Sequence, residues 1–139
     1  TPELKKQGVR MQFIGRREGL SAELRDMMDW ATEETASQDR LKLYVAFNYG
    51  GRAELLDAAR RFDGQTEEEF AALLYAPDMT DPDLVIRTSG EHRLSNYLLW
   101  QTAYSELHFT DVLWPDFDEA ALVTALREFE TRGRRFGAR

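Results

Sequence analysis

With 139 residues, 42% of them hydrophobic and 31% charged, the chain has the size and composition of one globular domain with a substantial core. A net charge of −7 argues against a general nucleic-acid binder, which needs a basic face, and the lack of cysteine excludes disulfides and thiolate chemistry while permitting a reducing compartment. No apolar run approaches the roughly 20 residues of a membrane helix, so a lipid substrate has to be met from the aqueous side.

Residues Val9–Ile14 alternate as a strand does and end at Gly15. Ser21 is placed to cap a helix whose Leu24, Met27, Met28 and Ala31 share one face. Leu41–Phe47 is a strand dense in apolar residues, the pattern expected when helices cover both faces. Asn48-Tyr49-Gly50-Gly51 then turns into a helix bearing Leu55, Leu56, Ala59 and Phe62. Thr66 and Glu69 form a capping box for a short helix with Phe70, Leu73 and Leu74. Pro77 and Pro82 break the chain before a strand at Leu84–Arg87. A helix over 95–105 and an extended stretch over 107–113 are expected next. Asp118 caps a last helix with an apolar face of Leu122, Val123, Leu126 and Phe129. The alternation predicts an α/β chain, residues 1–139 as a single domain, with a mostly parallel sheet flanked by helices. Ligands of such sheets sit beyond the carboxyl ends of the strands, where both 48–51 and 87–95 fall.

The chemistry concentrates after the strand Leu84-Val85-Ile86, which empties into Arg87, Ser89, Gly90, His92, Arg93 and Ser95. Two arginines, two hydroxyls and a glycine suit a diphosphate: arginine presents a fixed fork of donors, and small residues let the backbone approach. Plainer readings stand beside this one. Arg87 can serve a structural ion pair, Ser95 a helix N-cap, and His92 is the kind of loop histidine that is often merely packed or solvated. Ser95 can hold both roles, since a helix N-terminus is itself an anion site. Glu106 is a hard oxygen donor suited to Mg²⁺ or simply an exposed carboxylate; His108 is assigned nothing. Asn48-Tyr49-Gly50-Gly51-Arg52 is a weak phosphate signal without the Gly-Lys-Ser/Thr ending of a P-loop. Asp81-Pro82-Asp83 is no helical aspartate-rich metal motif, because Pro82 forces extended or turn geometry. Arg132, Arg134, Arg135 and Arg139 close the chain as a solvated helix end or a phosphate-related cluster. Trp100, Phe109, Trp114 and Phe117 read as core aromatics.

The run Asp83 to Arg93, with Ser95-Asn96, Leu98-Leu99-Trp100-Gln101, Tyr104-Ser105-Glu106-Leu107 and Phe109 to Phe117, resembles the C-terminal signature of cis-prenyltransferases. Gly8-Val9-Arg10, Phe13-Ile14-Gly15, Asn48 to Arg52 and the Arg135-Phe136-Gly137 ending agree with it. The resemblance implies the Rossmann-like three-layer fold of that family. It also implies Mg²⁺-dependent condensation of isopentenyl diphosphate with an allylic diphosphate, giving an undecaprenyl diphosphate-like cis-polyprenyl product. By the same resemblance Arg87, Arg93 and Ser95 anchor isopentenyl diphosphate, His92, Arg135 and Gly137 add substrate contacts, and Glu106 binds Mg²⁺. A cytoplasmic homodimer is implied, self-associating through the region around 107–114, with at most peripheral membrane contact. The family's His-x-x-x-Met-Asp-Gly-Asn-Gly-Arg and Phe-Ser-x-Glu-Asn motifs do not occur in these residues. The chain is therefore expected to be the C-terminal portion of a longer enzyme, inactive alone, with its catalytic aspartate upstream. Two rivals remain: a non-catalytic accessory subunit of the same fold, and an unrelated phosphatase, for which no nucleophile with a positioned base is evident.

Overall fold

In the computed structural model, which describes residues 1–132, the chain divides into two units, Thr1–Pro77 and Asp78–Arg139. The first runs α1 (Pro2–Lys6), β1 (Val9–Ile14), α2 (Ala22–Glu34), β2 (Leu41–Ala46), α3 (Gly51–Ala59) and α4 (Glu67–Ala71). β1 and β2 pair in parallel, from Val9 opposite Leu41 to Ile14 opposite Ala46. Val9, Met11 and Ile14 are buried, as are Met28 and Ala31 of α2, which packs on β1. The caps form as expected. Ser21 Oγ accepts from the Leu24 amide at 3.2 Å, and Thr66 with Glu69 closes a capping box.

Thr35, at the C-cap of α2 and 0% exposed, locks the helix to the strand. Its hydroxyl donates to the Ala31 carbonyl at 2.8 Å and accepts from the Met11 amide at 2.9 Å. Gly15 ends β1 at φ 128°, where a Cβ would lie 2.1 Å from the Phe47 carbonyl oxygen, so only glycine fits.

The apolar stripe expected on α3 is out of phase. Gly51, Glu54 and Ala58 are its buried residues, while Leu56 is exposed. A carboxylate can occupy that face because it is satisfied: Glu54 is 1% exposed and accepts from the Tyr49 hydroxyl at 2.5 Å and the Tyr75 amide at 3.0 Å. β2 ends at Ala46 rather than Phe47, and Leu41 and Lys42 are exposed, so this strand is not covered along its length on both faces.

The second unit contains β3 (Leu84–Arg87), β4 (Glu106–Phe109), a 3₁₀ turn at Trp114–Asp116 and α5 (Glu119–Thr131). β3 and β4 pair in parallel, with Leu84 opposite Glu106 and Arg87 opposite Phe109. Asp118 caps α5 by accepting from the Ala121 amide at 2.9 Å. Two parallel pairs, the first joined through α2 and the second with α5 packed on β4, bear out the expected α/β class.

Several expectations for this unit are corrected. No helix forms over 95–105: Ser95, Asn96 and Leu98 adopt positive φ, a conformation that single residues visit but helices do not. Ser95 is thus no helix N-cap, which requires extended backbone. The strand expected over 107–113 stops at Phe109, because the following backbone turns to pair with the loop after β3. On α5 Ala125 is buried, while Leu122, Val123 and Leu126 are exposed. Trp114 is no core residue either; it is 73% exposed and stacks on Phe117 with ring centroids 6.4 Å apart.

Candidate functional site

The carboxyl end of the β3–β4 pair holds the loop that carries Arg87, Ser89, Gly90, His92, Arg93 and Ser95. Beyond Arg87 the loop is stitched to the segment after β4. The Thr110 amide donates to the Arg87 carbonyl at 2.9 Å, Gly90 N to the Thr110 carbonyl at 2.9 Å, and Ser89 N to the Val112 carbonyl at 2.9 Å. Ser89 and Gly90 sit at φ 68° and 67°, and a Cβ on Gly90 would approach Asp111 Oδ1 to 3.1 Å. These bonds fix where the β3 strand releases its last side chain. His92 packs its ring on Phe109 at 5.0 Å between centroids.

A cavity of about 260 Å³ opens here, lined by Val85, Ile86, Arg87, Arg93, Leu94 and Tyr97. It joins two cations to an apolar wall. The two arginines differ in setting. Arg87 is partly buried at the strand end, whereas the Arg93 side chain is 65% exposed and forms an ion pair with Glu91. Tyr97 stands 38% exposed, and burial pushes its phenol above the ordinary tyrosine value.

Not every singled-out residue comes to this cavity. Ser95, two residues beyond Arg93, is exposed at φ 50° and is not among its lining residues. Glu106 opens β4 opposite Leu84, so it lies about 10 Å from the Arg87 end along the strands, at about 3.3 Å per residue. Its carboxylate accepts from Arg132 Nη1 at 3.3 Å. Among the described residues no cluster of three or more metal-ligating side chains occurs. One carboxylate does not cage an ion, but it suits Mg²⁺, which is commonly held by one or two carboxylates plus substrate phosphates. Arg135 and Gly137 lie outside the described residues.

Two features escaped the sequence reading. Leu94 and Tyr97 line the cavity, although the sequence pattern predicts a helix that starts beside Leu94 and contains Tyr97. His108, given no role, is buried and meets Glu128 of α5 at 2.9 Å through Nδ1. That pair borders a separate, more polar cavity of about 400 Å³ with Thr110, Asp111 and Thr124. The sequence carried no signal for it, because His108 and Glu128 are brought together only by the packing of α5 on β4.

Parallel strand pairs flanked by helices, with basic residues at a strand's carboxyl end, place the chain in the α/β class. Comparison with known proteins narrows this. The family model described as "Putative undecaprenyl diphosphate synthase" matches residues 1–137, and the chain belongs to this prenyltransferase family. Curated relatives include an isoprenyl transferase of Fusobacterium nucleatum, 50% identical over 95% of this chain and 59% of the relative. Another is the isoprenyl transferase of Thermotoga maritima, 48% identical over 96% of this chain and 61% of the relative. The chain thus spans about three fifths of the length of such relatives.

Among solved structures, a probable undecaprenyl diphosphate synthase from Campylobacter jejuni superposes with a TM-score of 0.90 at 33% identity, over 98% of this chain and 66% of that one. Lavandulyl diphosphate synthase from Lavandula x intermedia, solved in complex with dimethylallyl diphosphate, gives 0.91 at 35% identity, over 97% and 64%. The fold is that of the cis-prenyltransferases.

Proposed function

We propose that the complete protein condenses isopentenyl diphosphate with an allylic diphosphate to extend a cis-polyprenyl diphosphate, and that the cavity beside Arg87 holds the isopentenyl diphosphate. The observation that carries this reading is the lining of that cavity: two arginines beside Val85, Ile86 and Leu94. Isopentenyl diphosphate has the matching halves, a diphosphate and a short branched hydrocarbon.

Arg87 and Arg93 bind the diphosphate by charge-assisted hydrogen bonds. The apolar wall holds the hydrocarbon so that its double bond meets the allylic carbon, which is catalysis by positioning. The fixed loop 87–90 limits how far Arg87 can stray. Ser95 and His92 add donors at the rim of this site, and Arg135 and Gly137 contribute from the chain's end. Glu106 would hold Mg²⁺ together with substrate phosphate oxygens; when bound, the ion neutralises negative charge on the diphosphates. Leaving-group stabilisation for the allylic substrate falls to the family's His-x-x-x-Met-Asp-Gly-Asn-Gly-Arg motif, which does not occur in these residues. Residues 1–139 alone are accordingly expected to be inactive.

The reaction takes place in the cytoplasm, with the lipid product making peripheral contact with a membrane. Among the described residues no helix is long and apolar enough to cross one. A homodimer is part of the same reading, supported by the exposed Leu113 and Trp114 and the exposed leucines of α5.

The test is incubation of the complete protein with labelled isopentenyl diphosphate, an allylic primer and Mg²⁺, followed by extraction of lipid products. Elongated chains with new cis double bonds are expected. Binding of isopentenyl diphosphate without elongation would instead favour a non-catalytic subunit.

A further inference from the structure

We infer that Tyr97 sets the size of the hydrocarbon group accepted by the cavity beside Arg87, and is a specificity-determining residue for the homoallylic substrate. This rests on the reading of that cavity as the isopentenyl diphosphate site. The volume is the first argument. At about 260 Å³ the cavity falls below the roughly 300–1,000 Å³ of sites for drug-sized ligands. It is sized for one small molecule, so a change in any wall changes what fits.

The division of its lining is the second argument. Arg87 and Arg93 address charge; Val85 and Ile86 belong to β3 and are fixed by the strand pairing. Leu94 and Tyr97 come from the loop, and of these Tyr97 is much the larger. Its backbone is anchored on both sides. The Tyr97 amide donates to the Leu94 carbonyl at 3.1 Å. On the other side the buried Leu98 carbonyl receives both the amide of Thr102, at 2.9 Å, and its hydroxyl, at 2.8 Å.

Asn96 and Leu98, the neighbours of Tyr97, both hold positive φ, at 65° and 44°. A regular helix would present residue 97 differently, so this irregular turn is what brings the ring to the cavity. The turn fixes where the Tyr97 backbone stands, and from there the ring forms one wall of the cavity.

The experiment compares the complete wild-type protein with Tyr97→Phe, Tyr97→Leu and Arg87→Ala by steady-state kinetics. The substrates are isopentenyl diphosphate and a homologue one methylene longer in its hydrocarbon part. Wild type is expected to prefer isopentenyl diphosphate by about 10–200-fold in kcat/KM, the usual penalty for an extra methylene in a filled apolar pocket. Tyr97→Phe keeps that preference. Tyr97→Leu lowers it by about tenfold or more while leaving the KM for the allylic substrate unchanged.

An unchanged preference in Tyr97→Leu overturns the inference about Tyr97 while leaving the cavity's assignment standing. A normal KM for isopentenyl diphosphate in Arg87→Ala overturns both. Should the leucine variant fail to fold, Tyr97→Trp probes the same wall by crowding it. The KM for isopentenyl diphosphate is then expected to rise about tenfold, and an unchanged KM overturns the inference.

Discussion

Arg87→Ala and Arg93→Ala should weaken isopentenyl diphosphate use very unequally, because the two guanidinium groups stand in different surroundings. Arg87 is partly buried, issues from a strand end and lines the cavity. A charge-assisted hydrogen bond from such a position is worth about 1.5–3 kcal/mol, or about 10–150-fold in affinity. Arg93 lines the same cavity, but its side chain is 65% exposed and already engaged by Glu91. Water and Glu91 both compete with the ligand, so its contribution falls toward that of a surface ion pair, about 0.2–1 kcal/mol, or about 1.4–5-fold. The assay is steady-state kinetics on the complete protein, varying isopentenyl diphosphate and the allylic substrate separately. The KM for isopentenyl diphosphate should rise in both variants, far more for Arg87→Ala, with the allylic KM little changed. A larger effect at Arg93, or equal effects on both substrates, would refute the reasoning.

Other outcomes follow from the first unit. Thr35→Val removes the acceptor of the Met11 amide in a buried setting and should cost about 1–3 kcal/mol in urea denaturation. Gly15→Ala forces a Cβ against the Phe47 carbonyl at a positive φ; it should destabilise by about 1–3 kcal/mol or more, seen as a lower Tm. Hydrogen bonds from Arg16, at 2.9 and 2.8 Å, and from the Tyr75 hydroxyl hold the Asp57 carboxyl down at about 2, against 3.8 ordinarily. A depressed carboxyl stabilises the fold above its unfolded pKa and loses that contribution as pH falls through the folded one. Urea midpoints should therefore drop between about pH 4 and pH 2 in the wild type, and Asp57→Asn should flatten that stretch of the profile.

The elements legible in the sequence were those with local signals. Strands β1–β4, apart from where β2 and β4 end, follow from apolar runs bounded by glycine, proline or turn residues. Ser21, Thr66 and Asp118 each cap the helix they precede. Arg87 and Arg93 were legible as a pair because the cavity forms from one short stretch of chain.

What failed was non-local. A helix is expected over 95–105, yet Ser95, Asn96 and Leu98 take left-handed backbone that sequence pattern cannot foresee. Tyr97 was hidden by that error. Buried Glu54 displaced the expected apolar stripe of α3, because its partners Tyr49 and Tyr75 flank the helix rather than belong to it. The distance between Glu106 and Arg87 depends on strand register, which sequence spacing alone does not supply.

The most direct test of the central claim is a crystal structure of the complete protein with isopentenyl diphosphate. Diphosphate oxygens are expected within about 2.7–3.2 Å of the Arg87 and Arg93 guanidinium groups, with the hydrocarbon against Val85, Ile86 and Tyr97. Density for the diphosphate elsewhere, with this cavity left unfilled, would contradict it.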